Sequence, residues 1–451
     1  MQEKILGTEK ISKLFLKFTI PAIFGMIVTS LQTIIDGIFV GRFVGANALA
    51  SVNVAQPFMD MIFGPTFIIT IGAISLIGRA LGSRDIKKAQ SPFRTATLLG
   101  LAVGISITII GSLYHTQLAR FFGASPLLLE DVATYIRTIS FFAPLIFPMI
   151  LFGFASRILG SPKIYLYGSI LSVIVNVSLD YLLVKQLQMG IFGAALATGI
   201  AFNASMIVVI VPMLNRKNSI NLFRGQWTPS LIPPMLYNGA SEGIVSLSAA
   251  ITVYLFNRTF MALAGESGIA AYTTISYISR FAIMAVFGIS DGIGSIVSYN
   301  YGHKRPDRIK EVMRIALITS VAIGIVLVIL TNFYGESLIS MFIKNNPVVV
   351  AMAASGASIY SISFLLVGFN IIHSAYFTAI GNAQASMIIA LSRGMIGIAL
   401  GIFILPQFLG LTGVWLTVPF AEILSLILVM VLKAKKQDSH NISTAKKAKV
   451  V

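Results

Sequence analysis

Long apolar runs alternate with short polar clusters along the whole chain, and each run is long enough to cross a bilayer as a helix, which takes about 20 residues. Twelve spans are expected, near 14–40, 50–78, 93–115, 130–155, 163–186, 191–214, 230–262, 269–298, 311–334, 351–379, 385–408 and 411–432. The breaks carry turn chemistry: GSRD at 82–85, GASP at 123–126, LGSPK at 159–163 and NNP at 345–347.

Composition agrees with the pattern. The 451 residues are 56% hydrophobic and 11% charged, with a mean hydropathy of +0.87, and a soluble protein of this size needs far more charge. Residues 1–13 are polar and the first apolar run is too long for a signal-peptide core, so no cleavable leader is expected. There is no Cys, which removes disulfides, thiolate metal sites and Cys nucleophiles. No G-x-x-x-x-G-K-[ST] loop suggests ATP-driven transport, and no H-E-x-x-H pair suggests a zinc hydrolase. His373, alone in span 10, is expected to be a satisfied polar residue. The chain is not expected to be an enzyme or to carry a cofactor.

The net charge of +17 would suit nucleic acid, but its placement points elsewhere. Lys4, Lys10 and Lys13 precede span 1. Arg79, Arg84, Lys87, Lys88 and Arg94 follow span 2, Arg157 and Lys163 follow span 4, and Arg216, Lys217 and Arg224 follow span 6. Lys304, Arg305, Arg308, Lys310 and Arg314 follow span 8, and the tail adds six lysines. The opposite side holds only Arg42, Arg120, Lys185, Arg258 and Lys344. This positive-inside bias puts both termini in the cytoplasm of a multi-pass protein of the inner (plasma) membrane, with no nucleic-acid partner. The tail KAKKQDSHNISTAKKAKV is expected to be disordered and close to anionic lipid.

The chain also repeats itself. IGAISLIGRALGSRDIKKAQSPFRTATLLGLAVGI (71–105) aligns with DGIGSIVSYNYGHKRPDRIKEVMRIALITSVAIGI (291–325), GIFGAAL (190–196) with GLTGVWL (410–416), and Gly160 with Gly381 after a one-residue insertion. Six spans in each half give parallel repeats, an arrangement of transporters that rock two lobes about a cleft. The fold expected is an all-α integral membrane protein of twelve helices in two pseudo-symmetric lobes. The amino-terminal lobe covers 1–214, a cytoplasmic linker 215–229, the carboxy-terminal lobe 230–432 and the basic tail 433–451.

Ionisable groups inside spans are costly and point to function. Asp36 is the only charge between Phe18 and Gly41. Asn176 and Asp180 are four apart on span 5 and share a face. Thr198 on span 6 falls at a similar outer-half depth. Carboxylate, amide and hydroxyl oxygens suit Na⁺, while two close carboxylates repel until one holds a proton, so both H⁺ and Na⁺ remain open. The alternative is that the acids only fix helix packing. Pro21 is expected to bend span 1, and Gly37, Gly41 and Gly45 to keep one of its faces small. The second half does not duplicate this set. It has Glu242, Asp291 and Glu422, with Asp60 in span 2; Glu242 and Asp291 either line a cleft or pair with Arg280 or Arg393.

On these features the chain resembles the multidrug and toxic compound extrusion (MATE) transporters over about 430 residues, including the GSRDIKKAQ loop and its counterpart GHKRPDRIKE. Asp36, Asn176, Asp180 and Thr198 are similar in type and spacing to the amino-lobe cation site of the DNA-damage-inducible branch. That resemblance implies that Pro21 is the proline whose bending accompanies protonation and that Tyr135 borders the site. Asn370 stands at a carboxylate position of the other branch, and Glu242 is displaced, so no carboxy-lobe cation site is implied. The implied activity is efflux of amphipathic, often cationic compounds against inward H⁺ or Na⁺, by a monomer. Met26, Phe154, Phe202, Met206 and Glu242 are candidates for a cargo cleft, because Met and aromatic side chains adapt to varied shapes. Two rivals remain: a flippase for a lipid-linked precursor, which needs a basic cavity, and a passive channel or scaffold.

Overall fold

A computed structural model describes residues 4–340 and 347–448, excluding the side chains of 250, 277, 278, 281, 282, 338 and 435–448. The expected NNP turn at 345–347 and Lys344 lie largely or wholly outside that range. Among the described residues there are helices and loops but no strand. Among the described residues, ten helices are long and apolar enough to cross a membrane, and a bent pair makes eleven.

In chain order, α1 is Ile11–Phe39, extended by a π-helical turn Val40–Val44. α2 is Ala46–Gly82 and α3 is Ile86–Leu113. α4 is broken into Leu129–Ser140 and Ala143–Ile158, bent by 55°. α5 is Lys163–Leu179 with a π segment Asp180–Gln186, and α6 is Gly190–Val209. A 71-residue helix, Ile232–Gly302, holds α7 and α8, which part at Gly265 (φ 60°, ψ −151°). α9 is Pro306–Ser340, and α10 joins Pro347–Ser361 to Ser363–Ile380. α11 runs from Ala383–Leu391 through a π turn Ser392–Ile396 to Gly397–Leu409. α12 is Leu411–Ala448, so the tail expected to be disordered continues as helix.

The internal repeat is written in the backbone. Residues in the left-handed region recur at the same offset as the sequence: Gly45 with Gly265, Arg84 with Lys304 and Gly190 with Gly410, and Gly160 with Gly381 one residue later. Gly45 separates α1 from α2, so its counterpart Gly265 separates α7 from α8. The long helix is therefore two spans, giving the twelve-helix fold.

The chain forms two compact units. One contains residues 1–243, 291–312 and 379–381; the other contains 244–290, 313–378 and 382–451. In the first, Phe93 packs on Phe152 with ring centroids 5.5 Å apart. The segment 215–229 is fastened to α3: Gln90 donates to the Ser219 carbonyl, Arg94 to the Leu222 carbonyl (3.3 Å), and Thr95 accepts from the Thr228 amide (3.1 Å). In the second unit, Phe256, Phe260, Tyr272 and Trp415 form an aromatic core, with Phe256 and Tyr272 stacked at 4.7 Å.

The first unit also contains a reciprocal crossing. A Cβ on Gly82 would meet the Tyr299 carbonyl, and a Cβ on Gly302 would meet the Arg79 carbonyl. Gly82 and Gly302 are repeat partners, as are Arg79 and Tyr299, so the ends of α2 and α8 cross as a two-fold contact does. Arg79 then donates to the Ile380 carbonyl (3.3 Å), and the His303 ring bonds the Gly82 carbonyl (3.0 Å).

Candidate cation site

Asp36, Asn176, Asp180 and Thr198 are brought together by α1, α5 and α6 within the first unit. Asp36 is 8% exposed, Thr198 7%, and Asn176 and Asp180 fully buried. Both helices carrying the acids pass into π segments at or just beyond them: Val40–Val44 begins one turn after Asp36, and Asp180–Gln186 begins at Asp180 itself. Such π insertions are concentrated at functional sites.

The hydrogen bonds to Asp36 are long. Asn176 Nδ2 donates to Oδ1 at 3.5 Å, and Thr198 Oγ1 lies 3.3 and 3.4 Å from the two carboxylate oxygens. Thr198 Oγ1 also lies 3.0 Å from the Ala194 carbonyl, and its single proton serves one acceptor at a time. Neither oxygen of Asp180 has a hydrogen-bond donor among the described residues, although the two carboxyl groups are within hydrogen-bond reach of each other. Tyr135, buried, lies beside Thr198 and close to both acids.

The other intramembrane acids are held differently. Asp291 pairs with Arg157 at 3.3 Å, and Glu422 pairs with Arg393 at 2.9 Å while accepting from Asn370 Nδ2 at 2.6 Å. The partner of Asp291 is therefore Arg157 rather than Arg280 or Arg393. Arg157, counted in the sequence as a loop charge, is 1% exposed and lies between the Phe154 and Tyr165 rings, 4.5 and 4.6 Å from their centroids. Among the described residues, Asp36 and Asp180 have no such cation. Asp60 is exposed and accepts from Gln56 at 3.4 Å, and His373 is buried against the Phe369 carbonyl as expected.

The remaining candidates are scattered. Pro21 is buried in α1, which continues through it without interruption. Phe154 packs under Arg157, and Phe202 meets Phe63 edge-on at 5.7 Å. Met26 and Met206 are half-buried, as is Glu242. Gly37 and Gly41 face Leu49, whereas Gly45 (φ 127°) ends the helix rather than extending a small face. A cavity of about 760 Å³ beside the α4 bend is lined by Glu130, Arg137, Phe141 and Phe192 and does not reach Asp36 or Asp180. Sequence reasoning missed Gln32 and Ser172, which are hydrogen-bonded at 3.1 Å. Each lies four residues before a site residue, Asp36 or Asn176, and that spacing was the available signal.

The MatE family model matches residues 21–182 and 244–403. Multidrug export protein MepA of Staphylococcus aureus is 22% identical over 435 residues, 96% of each chain. The MepA of Staphylococcus saprophyticus subsp. saprophyticus is 23% identical over 447 residues, 98% of each. A crystal structure of MATE in the bent conformation superposes with a TM-score of 0.90 at 21% identity, covering 99% of both chains. A MOP superfamily transporter from Pyrococcus furiosus superposes at 0.89 and 22%, covering 96% of this chain and 97% of its own.

Proposed function

Because the chain belongs to the MatE family of membrane transporters, we propose that it is a secondary active antiporter that exports amphipathic, often cationic compounds in exchange for inward-moving H⁺, with neutralisation of Asp36 as the coupling event. The cargo class is carried over from the multidrug export relatives. The ion and the role of Asp36 rest on this chain's own residues.

One observation carries the proposal: two intramembrane acids have a resident Arg, while among the described residues Asp36 has only neutral, distant donors and Asp180 has none. A buried charge without a partner is strongly unfavourable, so the pair favours a positive species that comes and goes. Asp180 lacks a donor and lies within reach of Asp36, which favours H⁺, since one protonated carboxyl supplies the missing donor. Na⁺ would use the same oxygens with Thr198 and Asn176. In the cycle, protonation removes the repulsion and α1 bends at Pro21, where the Lys17 carbonyl has no helical amide to accept from. Cargo leaves outward, and the neutral lobe returns inward. Coupling requires H⁺ and cargo to favour opposite states, since equal affinity for both shifts nothing.

The basic loops face the cytoplasm of the inner membrane in this scheme, and the site is that of the DNA-damage-inducible branch. A flippase would need a cavity strongly lined by basic groups for pyrophosphate; the spans hold few, chiefly Arg137, Arg280 and Arg393, and Arg393 is neutralised by Glu422. The test is dye efflux from proteoliposomes under an imposed pH or Na⁺ gradient. Wild-type protein is expected to respond to the pH gradient, and Asp36→Asn to neither. Parental efflux by Asp36→Asn would overturn the coupling assignment, and a response to Na⁺ alone would overturn the choice of ion.

A further inference from the structure

α5 carries more than the two residues of the cation site. Tyr165, Ser169, Ser172, Asn176 and Asp180 recur every three or four residues and so form one stripe along the helix. Fifteen residues separate the ends, about 22 Å of helix at 1.5 Å per residue, most of the hydrocarbon thickness. Ser169, Ser172, Asn176 and Asp180 are all buried. A lipid-facing or purely packing stripe needs no such series of polar groups.

α1 completes the file from the facing side. Asp36 meets Asn176, and Gln32 Oε1 accepts from Ser172 Oγ at 3.1 Å. Two turns further on, α1 presents no side chain: a Cβ on Gly25 would lie 3.5 Å from the Tyr165 ring and 3.9 Å from Ser169 Oγ. Tyr165 then lies against Arg157, which is paired with Asp291 at 3.3 Å. The polar groups thus run from the outer-half acids to an ion pair at the opposite end of α5. Within the file Ser169 Oγ donates to the Tyr165 carbonyl at 3.1 Å, while at its two ends hydrogen-bonding capacity is unused: Asn176 Oδ1 and both Asp180 oxygens at one, and Arg157 Nη2 at the other, are buried without a partner among the described residues. Buried polar atoms are normally satisfied, so unmet capacity at both ends of one line of hydroxyls marks where a polar species can enter and leave it.

We propose that the file formed by Gln32, Ser169, Ser172 and Tyr165 between α1 and α5 is the route by which the coupling cation passes between the Asp36–Asp180 site and the cytoplasmic side, with the Arg157–Asp291 pair at its inner end. The hydroxyls of Ser169 and Ser172 act as both donors and acceptors, so they relay a proton or solvate a small cation at one-turn intervals. Gln32 holds the Ser172 hydroxyl in line, and the missing side chain at Gly25 lets α1 lie close against Tyr165 and Ser169 in the lower half. Neutralisation at Asp36 is thereby joined to release on the other face without opening the cargo cleft. This deepens the proposed antiport and rests on it.

The experiment uses full-length protein in proteoliposomes loaded with a pH-sensitive dye. It measures cargo-driven proton flux, with cargo affinity measured in parallel. Ser172→Ala and Gln32→Leu are each expected to slow flux about tenfold, the rate equivalent of one hydrogen bond lost from the rate-limiting transfer, and to leave cargo affinity unchanged. Ser172→Thr, which keeps the hydroxyl, is expected to retain flux. If Ser172→Ala and Gln32→Leu both move protons at the parental rate while Asp36→Asn does not, the route is wrong and the antiport stands. If Asp36→Asn also moves protons, the underlying assignment fails. Loss of cargo affinity in step with flux, or equal loss in Ser172→Thr, would make these residues structural and overturn the route. Ser172→Ala removes one oxygen atom and is compared at matched amounts of reconstituted protein.

Discussion

Asp36 is held loosely, and Glu422 tightly. Thr198 divides one hydroxyl proton between the Ala194 carbonyl and Asp36, so its contribution to the site can be isolated. Thr198→Ala is expected to lower the apparent affinity for the coupling cation about tenfold, the equivalent of one hydrogen bond to a charged group, and Thr198→Ser to restore it. A titration of efflux rate against proton concentration measures this. Glu422 presents the opposite case, because Arg393 and Asn370 already satisfy it. Arg393→Ala leaves a buried charge uncompensated and is expected to destabilise the protein by about 3–5 kcal/mol, whereas Arg393→Met combined with Glu422→Leu is expected to be close to neutral. Thermal unfolding in detergent distinguishes these outcomes. An intact double variant that still exports would show that Glu422 is structural.

At the scale of elements, interruptions of regular helix are concentrated where the chain changes direction or holds an intramembrane charge, Arg393 of the π turn Ser392–Ile396 included. Two of the π segments begin one turn after Asp36 and at Asp180, and the α4 break is closed by hydroxyls, with Thr108 donating to the Ser140 carbonyl at 2.7 Å and Ser140 to that of Arg137 at 2.7 Å. Gly265 has φ 60° and ψ −151°, a combination that residues with a Cβ rarely adopt. Gly265→Ala is expected to cost about 1–3 kcal/mol of stability by thermal unfolding, even though no atom lies near the added methyl. The cost would be conformational rather than steric. Pro21→Ala restores an amide to the middle of α1. It is expected to slow coupled efflux while leaving cargo binding intact, as measured by single-turnover export.

For the whole molecule, the crossing of α2 and α8 follows from the repeat. Gly82 and Gly302 meet each other's helix through equivalent backbone carbonyls, so a side chain at either position parts the same contact. Gly82→Val and Gly302→Val are each expected to abolish export at normal membrane amounts. The double variant is expected to be no less stable than the worse single one, because contacting residues do not add. Additive losses in thermal unfolding would show that the two glycines act independently.

The sequence by itself determined the bilayer as solvent, the twelve spans, the repeat and the four polar residues that the fold brings together as the candidate site. Each follows from local physics: apolar runs of fixed length, turn residues at their ends, and acids too costly in hydrocarbon to be incidental. Asp36, Asn176, Asp180 and Thr198 were legible because three of the four depend on helical spacing or depth, which the chain carries in one dimension. Only the tertiary structure decided which acids have a resident cation. Arg157 reads as a loop charge in one dimension, yet the fold buries it between two rings beside Asp291, 134 residues away. Gln32 and Ser172 gain meaning only when α1 and α5 lie side by side, 140 residues apart in the chain. Pairing across such separations depends on helix packing, which the spacing of residues along one helix does not encode.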